Sequence, residues 1–285
     1  MPKSWGSVAK KGAKLISVSG QGSFEDHRSI RAPEPADLWV RDERSKAPDA
    51  PTAPTPKRPQ ADLPGDLIAA VRTAGAALTN RGRERLVTLT AEAVEAYNRG
   101  RYEEASRRIS PVAEIAPRVV GIREIAGLSN YRAGSWRAAA AHLRAHYDLS
   151  GDASHLPAVM DCERALKHPR TVRKFFEIVR AASPPPEVLS EARIVMAASL
   201  AERGDLPAAI ALLIDAGAGK RVRNPADRHV RQWYVLADLY ERSGDVPRAR
   251  DMFTRVATAD PGAFDVDERL DELGGRARSS HSKAR

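Results

Sequence analysis

The residues whose types and spacing could do chemistry are few. His142 and His146 stand four positions apart with Asp148 close behind, the spacing that puts two imidazoles on one helix face within reach of a transition metal. A zinc centre needs a third ligand, or a Glu between the histidines, and nothing nearby in sequence supplies either, so no metal and no cofactor is expected. Cys162 lies in MDCERAL, a helical pattern that faces neighbours, and reads as a packing thiol and not as a nucleophile. The glycine-rich loop GAGKRVRNPADRH offers Lys220, Arg221, Arg223 and Arg228 as possible phosphate contacts. It lacks the two-glycine spacing of a nucleotide-binding loop and the Ser or Thr after its lysine, and no strand precedes it. The acidic pairs Glu103-Glu104 and Asp267-Glu268 fall at helix starts, where the helix dipole accounts for them without catalysis. No nucleophile, base and orienting group assemble, so no catalytic residue is assigned and the chain is not expected to be an enzyme.

The net charge of +9 over 285 residues suggests nucleic acid until its location is considered. Residues 1–60 hold 11 Lys plus Arg against 7 Asp plus Glu, and residues 274–285 hold 4 against none. The body between them is almost balanced, as a solvated helical surface would be, whereas a duplex-binding domain concentrates basic residues on its own face. The single cysteine excludes an intrachain disulfide and points to a reducing, cytoplasmic setting. No run approaches the roughly 18 apolar residues a membrane span needs.

The elements that must position these residues are helical and repeat. Tyr97, Gly100, Tyr102 and Ala105 return as Tyr131, Gly134, Trp136 and Ala139, each 34 positions later. The best-formed copy places Trp233, Leu236, Ala237, Tyr240, Gly244, Ala249, Phe253 and Pro261 in the same order. Helix pairs are predicted over 83–99 with 102–115, 119–133 with 136–148, 155–166 with 171–180, 188–203 with 206–215, and 231–242 with 246–259. Four of the five turn at a Gly; the third has His168-Pro169 where the register calls for one. Segments 62–78 and 264–273 are expected to cap the two ends, because a terminal repeat must cover its neighbour's apolar face.

The 34-residue period and these signature positions resemble tetratricopeptide (TPR) repeat proteins. The resemblance implies an all-α fold: an α-solenoid of about five TPR-like helix hairpins with capping helices over 62–273, between a disordered Pro-rich and basic arm at 1–61 and a disordered basic tail at 274–285. The stretch GDASHLPAVMDCERALKHP, with the helices before it and FDVDERLDEL near the end, is further similar to an uncharacterised actinobacterial TPR-containing family, which brings no activity or site residues with it.

The TPR resemblance also implies function: a non-catalytic adaptor or scaffold that holds a peptide or partner protein in its concave groove. First-helix positions place Val94, Tyr97, Asn98, Leu128, Tyr131 and Arg132 on that groove. Asn98 sits at a position of the carboxylate clamp found in chaperone-binding members, but the clamp lysines are absent. The alternative is an RNA- or ribosome-associated factor using the basic termini and the 220–231 loop. Either way the partner is unidentified, and nucleic acid binding through the ends is expected to be weak. Within the arm, Phe24, Ile30, Leu38, Trp39 and Val40 mark a segment that could dock on the body or on a partner.

Overall fold

The computed structural model describes residues 62–282, with side chains through 274. The expected arm at 1–61, with its Phe24–Arg44 segment, lies outside the described residues. Among the described residues every regular element is helical: α1 (Gly65–Ala74), α2 (Asn80–Asn98), α3 (Tyr102–Ile115), α4 (Val120–Arg132), α5 (Trp136–Ser150), α6 (Leu156–Ala165), α7 (Pro169–Ala182), α8 (Pro186–Glu202), α9 (Leu206–Asp215), α10 (Asp227–Arg242), α11 (Val246–Ala259) and α12 (Val266–Ser282). A short 3-10 turn, Ala153–His155, precedes α6. None of these helices is long and apolar enough to cross a membrane.

Helices α2/α3, α4/α5, α6/α7, α8/α9 and α10/α11 form five hairpins, each packed on the next, with α1 against the first and α12 against the last. The chain reverses tightly at each hairpin because one residue takes a left-handed backbone, which glycine adopts without a Cβ penalty. That residue is Gly100, Gly134, Gly204 and Gly244 in four of them. In the third hairpin it is Lys167, at φ 61°. His168 then precedes the helix and Pro169 opens it, so this repeat is one residue shorter than the period predicts, and a lysine bears the strain.

Ala105 and Ala139 are fully buried where paired helices cross, as the small residues of the repeat require. The acidic pairs Glu103-Glu104 and Asp267-Glu268 do occupy first turns, of α3 and α12. The C-terminal cap is fastened by Tyr234, whose hydroxyl donates to Asp265 at 2.5 Å and whose ring stacks on Phe264 at 4.3 Å, and by Arg269, which bridges Asp238 and Glu241. The backbone of α12 continues helical through Ser282, past the Leu273 at which the cap was expected to end and into the expected tail at 274–285. Once a helix is nucleated, each added residue costs little, and Arg276, Ala277 and Arg278 are good helix formers.

Candidate functional site

The sequence placed a partner groove on the first helices of hairpins one and two, and burial changes that assignment. Val94, Tyr97, Leu128 and Tyr131 are all core residues. Tyr97 meets Tyr102 edge-on at 5.3 Å and Tyr131 meets Trp136 edge-on at 5.8 Å. One tyrosine per repeat thus packs the first helix of a hairpin onto the start of its second, and burial pushes the Tyr97 hydroxyl up to about 12. Of the six groove candidates only Asn98 and Arg132 keep solvent access, and Arg132 lies 4.6 Å over the Tyr102 ring and donates to its hydroxyl at 2.5 Å.

Between hairpins two and three the first helices α4 and α6 hardly approach one another, unlike α6 with α8 or α8 with α10. Polar side chains fill that junction. Tyr131 donates to Asp161 at 2.7 Å, Arg164 donates to the other oxygen of Asp161 at 2.9 Å, and Arg164 also pairs with Glu202. Burial first, and then the Asp161 carboxylate that its hydroxyl faces, drive Tyr131 far above the ordinary tyrosine range. Arg144 of α5 pairs with Glu163 of α6, which His168 also meets at 2.9 Å.

On the other side of the same junction Glu124 of α4 meets His155 Nε2 at 3.0 Å, and the His155 and His146 rings stand edge to face at 5.2 Å. One ligand atom from each of these three buried residues lies within 4.8 Å of the others, which makes them the group able to hold a metal among the described residues. His142, the partner expected for His146, is turned away: its Nδ1 accepts from Arg123 at 2.9 Å. Burial and the Arg123 charge lower the His142 pKa; burial and then His155 lower that of His146. Glu124 and His155 escaped the sequence reading because they are 31 residues apart on different hairpins, and no local spacing links them.

A cleft of about 690 Å³ opens between α5 and α7 over the end of α6. Its floor is apolar, from Ala140, Leu166, Phe175 and Ile178, and Arg137, Lys174 and His168 stand exposed at its rim. Arg144 lies 5.3 Å over the Phe175 ring, which fixes the guanidinium against the floor. Glu163 lines the cleft too, but it is buried and already paired, so the charge offered to solvent is cationic except for Asp148.

Of the basic-loop candidates, Arg221 and Arg223 line one pocket of about 320 Å³ with Arg255, Trp233 and Asp251, and Lys220 and Arg228 are not among its lining residues. Arg228 donates to Glu187 at 2.6 Å, and Arg221, at 3.8 Å from Asp251, is highly exposed. Lys220 and Arg223 are exposed as well. Where the loop ends, Arg231 donates to Glu191 at 2.6 Å. Burial outweighs that pairing and pushes the Glu191 carboxyl up to about 7. The folded chain therefore keeps this proton to higher pH than an unfolded one, whose glutamate titrates at 4.5, and the contribution present below that value is lost as pH rises through 7. Denaturant titrations at pH 5 and 7.5 should show the wild type losing roughly 1–3 kcal/mol more over this interval than Glu191→Gln. Parallel changes in both proteins would place the titration elsewhere.

This architecture is that of a helical-hairpin solenoid, a class that works through its surfaces. The chain carries tetratricopeptide repeats. The tetratricopeptide repeat family model matches residues 90–154 and 194–264, and the stretch between them holds the shortened third hairpin. Among solved structures, a thermophilic TPR protein of Thermus thermophilus superposes with a TM-score of 0.50 at 14% identity, covering 66% of this chain and 98% of the other. That likeness is one of fold. Among curated proteins none matches this sequence.

Proposed function

We propose that this chain is a non-catalytic scaffold that seats a segment of a partner protein in the cleft between α5 and α7. TPR folds serve in general as protein-binding scaffolds, which supports the first half of the reading. The observation that carries the second is the cleft itself, an apolar floor with Phe175 at its base and exposed Arg137 and Lys174 at its rim. Such a surface suits an extended peptide that presents an apolar or aromatic anchor beside acidic residues. The reading moves the expected contact off the buried tyrosines of the first helices and onto the outer side of hairpins two and three. A cytoplasmic location belongs to the same reading and rests on the single cysteine. The RNA-associated alternative would rest on the exposed Lys220, Arg221 and Arg223, since Arg228 and Arg231 already hold carboxylates.

The test is selection of peptides from a randomised library against the full chain. Acidic sequences with an aromatic or aliphatic anchor should be enriched. Arg137→Glu with Lys174→Glu should weaken their binding at least ~10-fold, about 1.4 kcal/mol, while leaving stability within about 0.5 kcal/mol. Enrichment of basic or purely polar peptides, or unchanged binding by the doubly reversed variant, would remove the cleft from the reading.

A further inference from the structure

We propose that Glu124, His146 and His155 form a binding site for one divalent transition-metal ion of the zinc type, joining hairpins two and three. The three side chains come from α4, α5 and the 3-10 turn, and all are buried, at 1%, 4% and 5% exposure. Two imidazoles and one carboxylate are a donor set that zinc accepts, leaving one position for water or another ligand. Tetrahedral zinc with nitrogen and oxygen ligands holds neighbouring donor atoms about 3.3 Å apart. The Glu124 and His155 atoms already stand at 3.0 Å, and all three donors lie within 4.8 Å of one another.

A second observation points the same way. The Nδ1 of His146 has no hydrogen-bond partner among the described residues, although the side chain is almost wholly buried. A buried polar atom without a partner is costly, and native proteins keep few of them without a reason such as an ion. The competing account, a plain Glu-His ion pair with the two imidazoles packed edge to face at 5.2 Å, explains His155 but leaves the buried Nδ1 of His146 without a partner among the described residues. A dication would convert that pairing into shared coordination and make the carboxylate a ligand. Its place in the fold gives it a role: hairpins two and three pack through α5 and α6 while α4 and α6 barely touch, so an ion here would tie α4 to the turn that leads into α6.

The experiment uses the full untagged chain, stripped with a chelator and titrated with zinc, and separately with cobalt, whose visible absorption reports ligand number. One equivalent should bind, the cobalt spectrum should be that of a four- or five-coordinate ion, and zinc in excess should raise the melting temperature by roughly 5 °C. His155→Gln and His146→Gln should each lose at least ~100-fold in affinity, whereas His142→Gln, on the same helix as His146, should bind like the wild type. Since a buried variant could misfold, the wild type also carries an independent readout. With 15N-labelled histidine, zinc should shift the ring nitrogens of two of the 7 histidines and leave the others unchanged. Binding below ~0.1 equivalent at ~100 µM zinc, unaltered affinity in a folded His155→Gln, or ring shifts confined to other histidines would each overturn the site.

Discussion

Gly127→Ala should lower stability by about 1–3 kcal/mol, Leu143→Ala by about 2–5 kcal/mol, and the two together by much less than the sum. Gly127 lies within α4 against Leu143 of α5, and an added Cβ would meet Leu143 Cδ2 at 2.3 Å, Cγ at 2.6 Å and the backbone nitrogen at 3.3 Å. No real Cβ sits that close, and Leu143 is fully buried with nowhere to move. Alanine would otherwise favour a helix interior by about 1 kcal/mol, so a net loss can come only from the forced separation of α4 and α5. Truncating Leu143 removes the clashing atoms and opens a cavity, and the alanine methyl in the double variant then occupies part of it. Urea denaturation of the wild type and the three variants closes this cycle. Additive losses, or a Gly127→Ala variant more stable than the wild type, would show that the close approach is not what holds this hairpin together.

A larger effect is expected from Asp161→Ala, about 3–5 kcal/mol. Asp161 is only 2% exposed by its side chain and accepts from Tyr131 and from Arg164, itself 11% exposed. Removing the carboxylate takes the compensating charge away from a mostly buried guanidinium, which keeps only the surface-exposed Glu202, and deprives the Tyr131 hydroxyl of its acceptor. The cost is chiefly that of the stranded groups, and this can be checked. Asp161→Ala/Arg164→Met should recover a good part of the loss, since an apolar replacement of a buried ion pair is often close to neutral. Tyr131→Phe, which removes one hydrogen bond to the carboxylate and strands no charge, should cost less, about 1.5–3 kcal/mol. If the charge-free double variant is as unstable as Asp161→Ala, the network contributes through packing and not through charge compensation.

These two junctions separate what the sequence alone determined from what it could not. The 34-residue period, the hairpin turns at Gly100, Gly134, Gly204 and Gly244, and the buried Ala105 and Ala139 were legible because each is local chemistry: a left-handed turn excludes most side chains, and a helix crossing excludes large ones. The sequence also showed that the third repeat departs from the pattern, though not that the slip is one residue and that Lys167 takes the turn. Only the tertiary structure decided which side of each tyrosine helix meets solvent, because that depends on how closely one hairpin stacks on the next. It turned Tyr97 and Tyr131 from groove residues into packing residues. It alone brought Glu124 to His155 and Tyr131 to Asp161, across separations of 31 and 30 residues. A repeat period fixes the inside of each hairpin, but the angle between hairpins is summed from packing among helices distant in sequence, and the polar side chains that meet in the gap are set by that angle.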